Sequence, residues 1–252
     1  MRKTYFIGSW KSTKTRDEAE TYFAQLPNLV AQSVHEVVLC PSFLHMESAK
    51  AKLPVTVKMG AQNCSKHSSG PFTGEISAQM LKSYGVQYCI LGHVERRADG
   101  ETDQEINLKI KQCIANGIRP VVCFGETMVD YDNNMTRQVI EKQMIDCLQG
   151  VKEFNHLICV YMPIWSIGTG YYTSGEYTNI ILDFMRKTMQ KIYGQPMAGA
   201  IPMLYGGMVT PTNVKEYLEC REVDGIVFAV AAMQPQDFSK MIMTKFIPGA
   251  GK

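Results

Sequence analysis

The sequence predicts a single-domain (β/α)8 barrel, and two observations carry that prediction: eight short apolar segments, and amphipathic stretches of helical period between them. The apolar segments are rich in β-branched or aromatic residues and end near glycine, proline or a small polar residue, as strands buried on both faces do. Strict alternation of strand and helix eight times over is the pattern of a parallel barrel. A doubly wound open sheet is the alternative. It normally shows a glycine-rich phosphate turn after its first strand, and Gly8-Ser9-Trp10-Lys11 is not one.

Taken in order, the first strand is expected over Thr4 to Ser9 and is followed by a helical stretch, Arg16 to Phe23. Strands two to four are expected over Glu36 to Cys40, Val57 to Gln62 and Gln87 to Gly92. The run from Asp103 to Ala115 repeats apolar residues every three or four positions and predicts a helix. Strand five, Arg119 to Gly125, leads to a helix over Arg137 to Leu148, and strand six, Leu157 to Pro163, to a helix over Glu176 to Ile192. Ile201 to Gly206 and Val223 to Ala229 complete the set. No low-complexity tract or linker interrupts the series, so residues 1–252 are expected to form one domain.

Composition narrows the function classes. A chain of 252 residues with 45% hydrophobic content can bury a large single core. The net charge of +2 arises from 26 basic and 24 acidic residues mixed along the chain, so no broad surface field for nucleic acid or an anionic membrane is expected. Any anion must be recognised locally. The eight cysteines are scattered, mostly inside apolar runs such as Val121-Val122-Cys123, which favours buried reduced thiols over disulfides or metal ligands. The amino end reaches Gly8 too soon for a secretory signal, and no apolar run is long enough to span a bilayer, so a cytoplasmic protein is expected.

In such a barrel the chemistry lies on the loops after the strand carboxyl ends. Lys11, just after strand one, would hold an ammonium over the mouth, where it favours an oxyanion or phosphoester. An ordinary surface lysine is the plain alternative. His93, at the end of strand four, can present a ring N–H to a carbonyl gaining negative charge, or can be a structural histidine with its bonds satisfied. Glu95, Arg96 and Arg97 are expected to form a buried ion-pair network bracing their loop. The segment Pro163-Ile164-Trp165-Ser166-Ile167-Gly168-Thr169-Gly170 joins a buried strand to a glycine-hinged stretch that reads as a lid over an anion or as a plain flexible loop.

Together these segments closely resemble the triosephosphate isomerase family, through Trp10-Lys11, Ala61-Gln62-Asn63, Phe72-Thr73-Gly74-Glu75, Leu91-Gly92-His93, Glu95-Arg96-Arg97, Cys123-Phe124-Gly125-Glu126, Pro163 to Gly170, Tyr205-Gly206-Gly207 and Asp224-Gly225. The resemblance covers essentially the whole chain. It implies a TIM barrel that interconverts dihydroxyacetone phosphate and glyceraldehyde 3-phosphate without cofactor or metal, a glutamate moving the proton while a histidine and a lysine stabilise charge. It also implies a homodimer, with the loop bearing Phe72, Thr73 and Gly74 inserted into the partner and Thr73 near its tip.

The departures fall in the substrate site. Where the family pattern has the basic glutamate this chain has Met162, and Ser9, Val94, Met208 and the pair Ala229-Val230 replace the family's Asn, Ser, Ser and Gly-Gly. A thioether accepts no proton, which removes general-base catalysis worth roughly 10²- to 10⁴-fold. Tyr161 should face away from Met162, so it offers no substitute. Val230 and Met162 are expected to line an apolar floor where a phosphate cradle would be. The expectation is a family member with little or no isomerase activity, left with a binding, regulatory or structural role, for which a small phosphorylated or other anionic ligand is a candidate partner. The alternative is an active isomerase or lyase on another small sugar phosphate, using Lys11 and His93 with a base from elsewhere.

Overall fold

The computed structural model describes residues 3–30, 33–153, 156–194 and 197–250. Each apolar segment forms a strand: Tyr5–Ser9 (β1), Glu36–Cys40 (β2), Val57–Ala61 (β3), Tyr88–Leu91 (β4), Arg119–Phe124 (β5), Ile158–Tyr161 (β6), Met203–Tyr205 (β7) and Gly225–Phe228 (β8). All pair in parallel in chain order, and β8 closes on β1. The expected (β/α)8 barrel is therefore the fold. Except for β2, which has the expected bounds, the strands are somewhat shorter than the apolar runs, which extend into the turns at the strand ends. Past the end of β6, Met162 N–H still donates to Phe124 O at 2.8 Å, and the chain then turns at Pro163.

Alternation along each strand divides the core in two. Ile7, Val38, Ile90, Val121, Val160, Leu204 and Val227 fill the barrel interior, whereas Phe6, Val37, Leu39, Val122, Phe124 and Tyr161 face the surrounding helices. The helices are Arg16–Gln25 (α1), Pro27–Val30 (α2), Met46–Lys52 (α3), Ala78–Ser83 (α4), Val94–Ala98 (α5), Asp103–Ala115 (α6), Met128–Asp132 (α7), Thr136–Leu148 (α8), Gly175–Tyr193 (α9), Val214–Leu218 (α10) and Pro235–Ile242 (α11). The start of α6 is fixed by a capping box in which Thr102 Oγ1 accepts from Glu105 N and Glu105 Oε2 accepts from Thr102 N. α9 starts where Ser174 Oγ accepts from Tyr177 N and stops at Gly194, whose φ of 78° favours glycine. Among the described residues no helix is long and apolar enough to cross a membrane.

A buried charge cluster sits beneath β7 and β8. Arg186 of α9 donates to Glu222 Oε2 at 2.6 Å, to Asp224 Oδ2 at 3.0 Å and to Ile201 O at 3.1 Å. Asp224 Oδ2 also accepts from Met203 N at 2.9 Å. Removing one partner of such a buried pair leaves an uncompensated charge and costs about 3–5 kcal/mol. Arg186→Ala is therefore expected to lower the unfolding free energy by about that amount. A urea titration that leaves the midpoint unmoved would contradict it.

Candidate active site

Trp10 places Lys11. Its side chain is fully buried against Tyr22 and Phe23, ring centroids 4.8 and 5.1 Å away, and the Trp10 backbone N–H donates to Cys40 O at 3.1 Å. The chain must turn sharply after this anchor, and Lys11 takes φ 50°, a left-handed conformation rare for a side chain of this kind. Such strain costs on the order of 1–3 kcal/mol and persists only where the surroundings enforce it. Ser9 Oγ helps by accepting from Lys11 N at 3.3 Å. The half-buried ammonium meets Glu95 Oε1 at 2.5 Å.

His93 begins the loop after β4 and caps the short helix α5, its Nδ1 accepting from Glu95 N at 3.3 Å. A neutral ring that accepts at Nδ1 carries its proton on Nε2, the donor a substrate carbonyl needs. Burial pushes the ring down to about 4; Glu95 opposes this and Lys11 reinforces it. The imidazole is thus neutral at physiological pH, a hydrogen-bond donor rather than a cation.

The expected buried brace needs correction. Only Arg97 is largely enclosed, its side chain 11% exposed, donating to Asp103 Oδ1 at 2.6 Å, to Gly92 O at 2.9 Å and to Cys123 O at 3.2 Å. The Glu95 side chain is 52% exposed and serves Lys11, and the half-exposed Arg96 reaches Glu101 at 3.5 Å. The physical reason is position: Arg97 lies on the inward face of α5, beside the start of α6, while its two predecessors point to the mouth and to solvent.

The β5 and β6 ends build the lid stem. Gly125 packs so closely on the stem that an added Cβ would sit 1.9 Å from Met162 O, so no other residue fits there. Gln143 of α8 clamps it, donating to Gly125 O at 2.9 Å and accepting from Gly125 N at 3.0 Å. Glu126 is fully buried, and its Oε1 accepts from Tyr161 OH at 3.0 Å and from Trp165 Nε1 at 2.8 Å. Burial pushes this carboxyl above its usual range, while Trp165 and Tyr161 pull the other way. Tyr161 at the end of β6 and Trp165 in the segment after it therefore hang on one carboxylate. Sequence reasoning quoted Glu126 without assigning it a role; an acidic residue directly after an apolar strand was the available signal.

Beyond the stem, Ile164–Ser166 forms a short 3₁₀ turn closed by Ser166 Oγ donating to Pro163 O at 2.9 Å. Thr169 Oγ1 donates to Trp165 O at 2.7 Å. Gly168 and Gly170 have φ of 75° and 85°, with nothing within 4 Å of where a Cβ would stand. Glycine is needed there for its backbone angles and not for space.

Met162 is 1% exposed, and its methyl group packs against Gly206, at which an added Cβ would come within 2.6 Å of Met162 Cε. As expected, Tyr161 faces the outer core and Met162 the barrel interior. Above it opens a cavity of about 130 Å³, lined by Ser9, Lys11, His93, Met162, Ser166, Ile167, Gly168, Gly206, Gly207, Met208, Val209, Thr210, Val227, Phe228, Ala229 and Val230. A water needs roughly 10–15 Å³ on this measure, so the space suits a small molecule. Lys11 and His93 are the only titratable side chains in the lining, and no carboxylate is among the lining residues. Val230 departs from the expected floor: it opens a 3₁₀ turn, Val230–Met233, and stands 73% exposed at the mouth. Met162 alone of that pair forms the floor. Pro163, Ile164, Trp165, Thr169 and Gly170 lie outside the lining, as do Glu95, Arg96 and Arg97. Val209, Thr210 and Val227 were not foreseen, because apolar or small residues near strand ends carry no chemical signature in sequence.

The family model described as triosephosphate isomerase matches residues 4–245. Similar curated proteins include the triosephosphate isomerase of Clostridium beijerinckii, 35% identical over 246 residues, covering 96% of this chain and 99% of that one. That of Carboxydothermus hydrogenoformans is 36% identical over 247 residues, covering 96% and 98%. That of Clostridium tetani is 35% identical over 249 residues, covering 97% and 98%.

His93 supplies a pH test. Between its folded value of about 4 and the ordinary value of 6.5, the unfolded chain holds a ring proton that the folded chain lacks. Stability from the neutral ring is thus present above pH 6.5 and lost as pH falls through that window. Between pH 7 and pH 4 the protein is expected to lose on the order of 2–3 kcal/mol more than His93→Asn does. Parallel urea curves for the two proteins across this range would contradict the assignment.

Proposed function

We propose that this chain, which belongs to the triosephosphate isomerase family, keeps the family barrel, lid and charge-stabilising pair but no longer moves a proton between substrate carbons at a useful rate. Its working role is then to bind a small phosphorylated or other anionic ligand, in a binding or regulatory capacity. One observation carries this reading: the floor below Lys11 and His93 is the buried thioether of Met162, with no carboxylate in the lining.

The relatives are named for isomerising triose phosphates, a reaction that removes a proton beside a carbonyl and returns it to the neighbouring carbon. Here His93 Nε2–H and the Lys11 ammonium supply the stabilisation of a developing oxyanion. The proton acceptor is what is missing. His93 is a poor replacement, since burial holds it far below the operating pH and its free nitrogen already accepts from Glu95 N. Glu126 is committed to Tyr161 and Trp165 and does not line the cavity. Anion binding draws support from the Lys11 charge and from the backbone of Gly168, Gly206 and Gly207 along the wall.

The retained pair also favours a second reading, an active isomerase or lyase on another small sugar phosphate whose base is brought in from outside the lining. A coupled assay with glyceraldehyde 3-phosphate separates the two. Activity lowered by roughly 10²-fold or more relative to a working relative is expected, with Met162→Glu recovering only part of it, because Met208 and Val230 still alter ligand placement. Strong wild-type turnover that His93→Ala abolishes would overturn the non-catalytic reading.

A homodimer is part of the proposal. The segment 68–75, which includes Phe72, Thr73 and Gly74, is exposed throughout, and its base is pinned by Ser65 N donating to Ile76 O at 2.8 Å. Phe72 stacks on His67 at 3.5 Å, leaving an aromatic pair that a partner surface would cover. An intracellular setting suits eight free buried thiols. Light scattering at micromolar concentration is expected to give twice the chain mass, and Phe72→Asp to give the single-chain mass; a monomeric wild type would remove this part of the proposal.

A further inference from the structure

All eight cysteines are buried and free, as the sequence suggested, but three of them converge in a way their sequence separation conceals. Cys64, in the loop after β3, Cys89 on β4 and Cys113 on α6 place their sulfurs within 4.8 Å of one another, with Cys64 Sγ and Cys113 Sγ 3.5 Å apart. The cluster lies between the sheet and α6, outside the barrel interior and away from the cavity lining.

We propose that these three thiols form a site for one soft monovalent metal ion of the Cu(I) class. The argument is first geometric. A metal–thiolate bond of ~2.3 Å sets the sulfurs of a trigonal site ~4 Å apart. The cluster is already near that size, so side-chain adjustment rather than backbone movement closes it. The second step concerns ligand number. Among the described residues no fourth histidine, cysteine or carboxylate joins the group, whereas a structural zinc site requires four ligands. Three sulfurs in an apolar setting select a soft ion that accepts low coordination.

Charge is the third step. A buried ion site is costly unless its charge is offset. Lys109, one helical turn before Cys113, is buried, with its ammonium donating to Asn63 Oδ1 at 3.0 Å and paired to Glu101. It therefore sets a positive charge beside the residue preceding Cys64. When a monovalent ion enters and the three thiol protons leave to water, no electron is transferred and the net buried charge falls by two, with the Lys109 ammonium supplying an opposing charge.

The intact protein, reduced and free of metal, is titrated anaerobically with Cu(I) against the chelator bicinchoninate and examined by X-ray absorption. One tightly held equivalent with a sulfur-only first shell is expected. Cys89→Ala and Cys113→Ala should each weaken retention about tenfold or more, whereas Cys220→Ala, which alters a buried thiol outside the cluster, should not. Loss of the copper to the chelator, nitrogen or oxygen in the first shell, or equal weakening by Cys220→Ala would overturn the proposal. The absorption result on the unaltered protein decides the matter even where a cluster variant fails to fold.

Discussion

The barrel depends on the seam where β8 meets β1. Gly225 pairs with Tyr5 so closely that an added Cβ would lie 2.2 Å from Tyr5 O, so a side chain there would force the seam apart. Tyr5 N donates to Asp224 O at 2.9 Å, and the Asp224 carboxylate is held by Arg186 and Met203. The buried charge cluster thus fixes the residue that fixes the seam. Closure in turn brings Ser9, the last residue of β1, and Lys11 just beyond it beside Ala229 and Val230, which follow β8, on one cavity. The site exists because the sheet is closed.

On that rim the electrostatics remain suited to an anion. Lys11 is paired with Glu95, but the pair is partly exposed, with side-chain exposures of 28% and 52%, and such pairs are worth only about 0–1 kcal/mol. An incoming phosphate or carboxylate can therefore draw the ammonium away from Glu95 at little cost. His93 keeps its donor because burial keeps it neutral, and the stem keeps its shape because Glu126 binds Tyr161 and Trp165. The charged pair at the cavity and the hydrogen bonds that hold Trp165 thus use groups separate from Met162.

The fold was legible because period and punctuation agree along the chain. The run Asp103–Ala115 carries both its apolar repeat and its cap, and the observed helix has those bounds; Arg137 to Leu148 was set one residue short at its start because Thr136 has no apolar signature. At the site, Lys11, His93, Met162 and Gly168, which line one cavity, were legible through the resemblance of their segments to the family pattern and not from residue type alone. Contacts made across the fold were not. The single largely enclosed member of Glu95-Arg96-Arg97, the Gln143 clamp on Gly125 and the exposed position of Val230 each depend on how a loop turns after its strand, which residue type alone does not determine. The cysteine cluster belongs to the same class, since Cys64 and Cys113 lie 49 residues apart.

Met162 also bears on the stability of the barrel. A carboxylate in its place would be charged, nearly solvent-free and enclosed by Val160, Gly206 and the apolar wall, and burying it without full hydrogen bonding costs several kcal/mol. A base in that position would have a raised pKa, useful for accepting a proton from carbon and unfavourable for folding. Methionine has similar length, no desolvation penalty and a flexible thioether that fills the gap beside Gly206. On the reading proposed above, a thioether in place of a base gives up proton transfer and removes a source of instability in one step, the opposition between active-site function and stability. On that reading the packing around Met162 does not favour a glutamate, and Lys11 and His93, which share its cavity, serve binding alone.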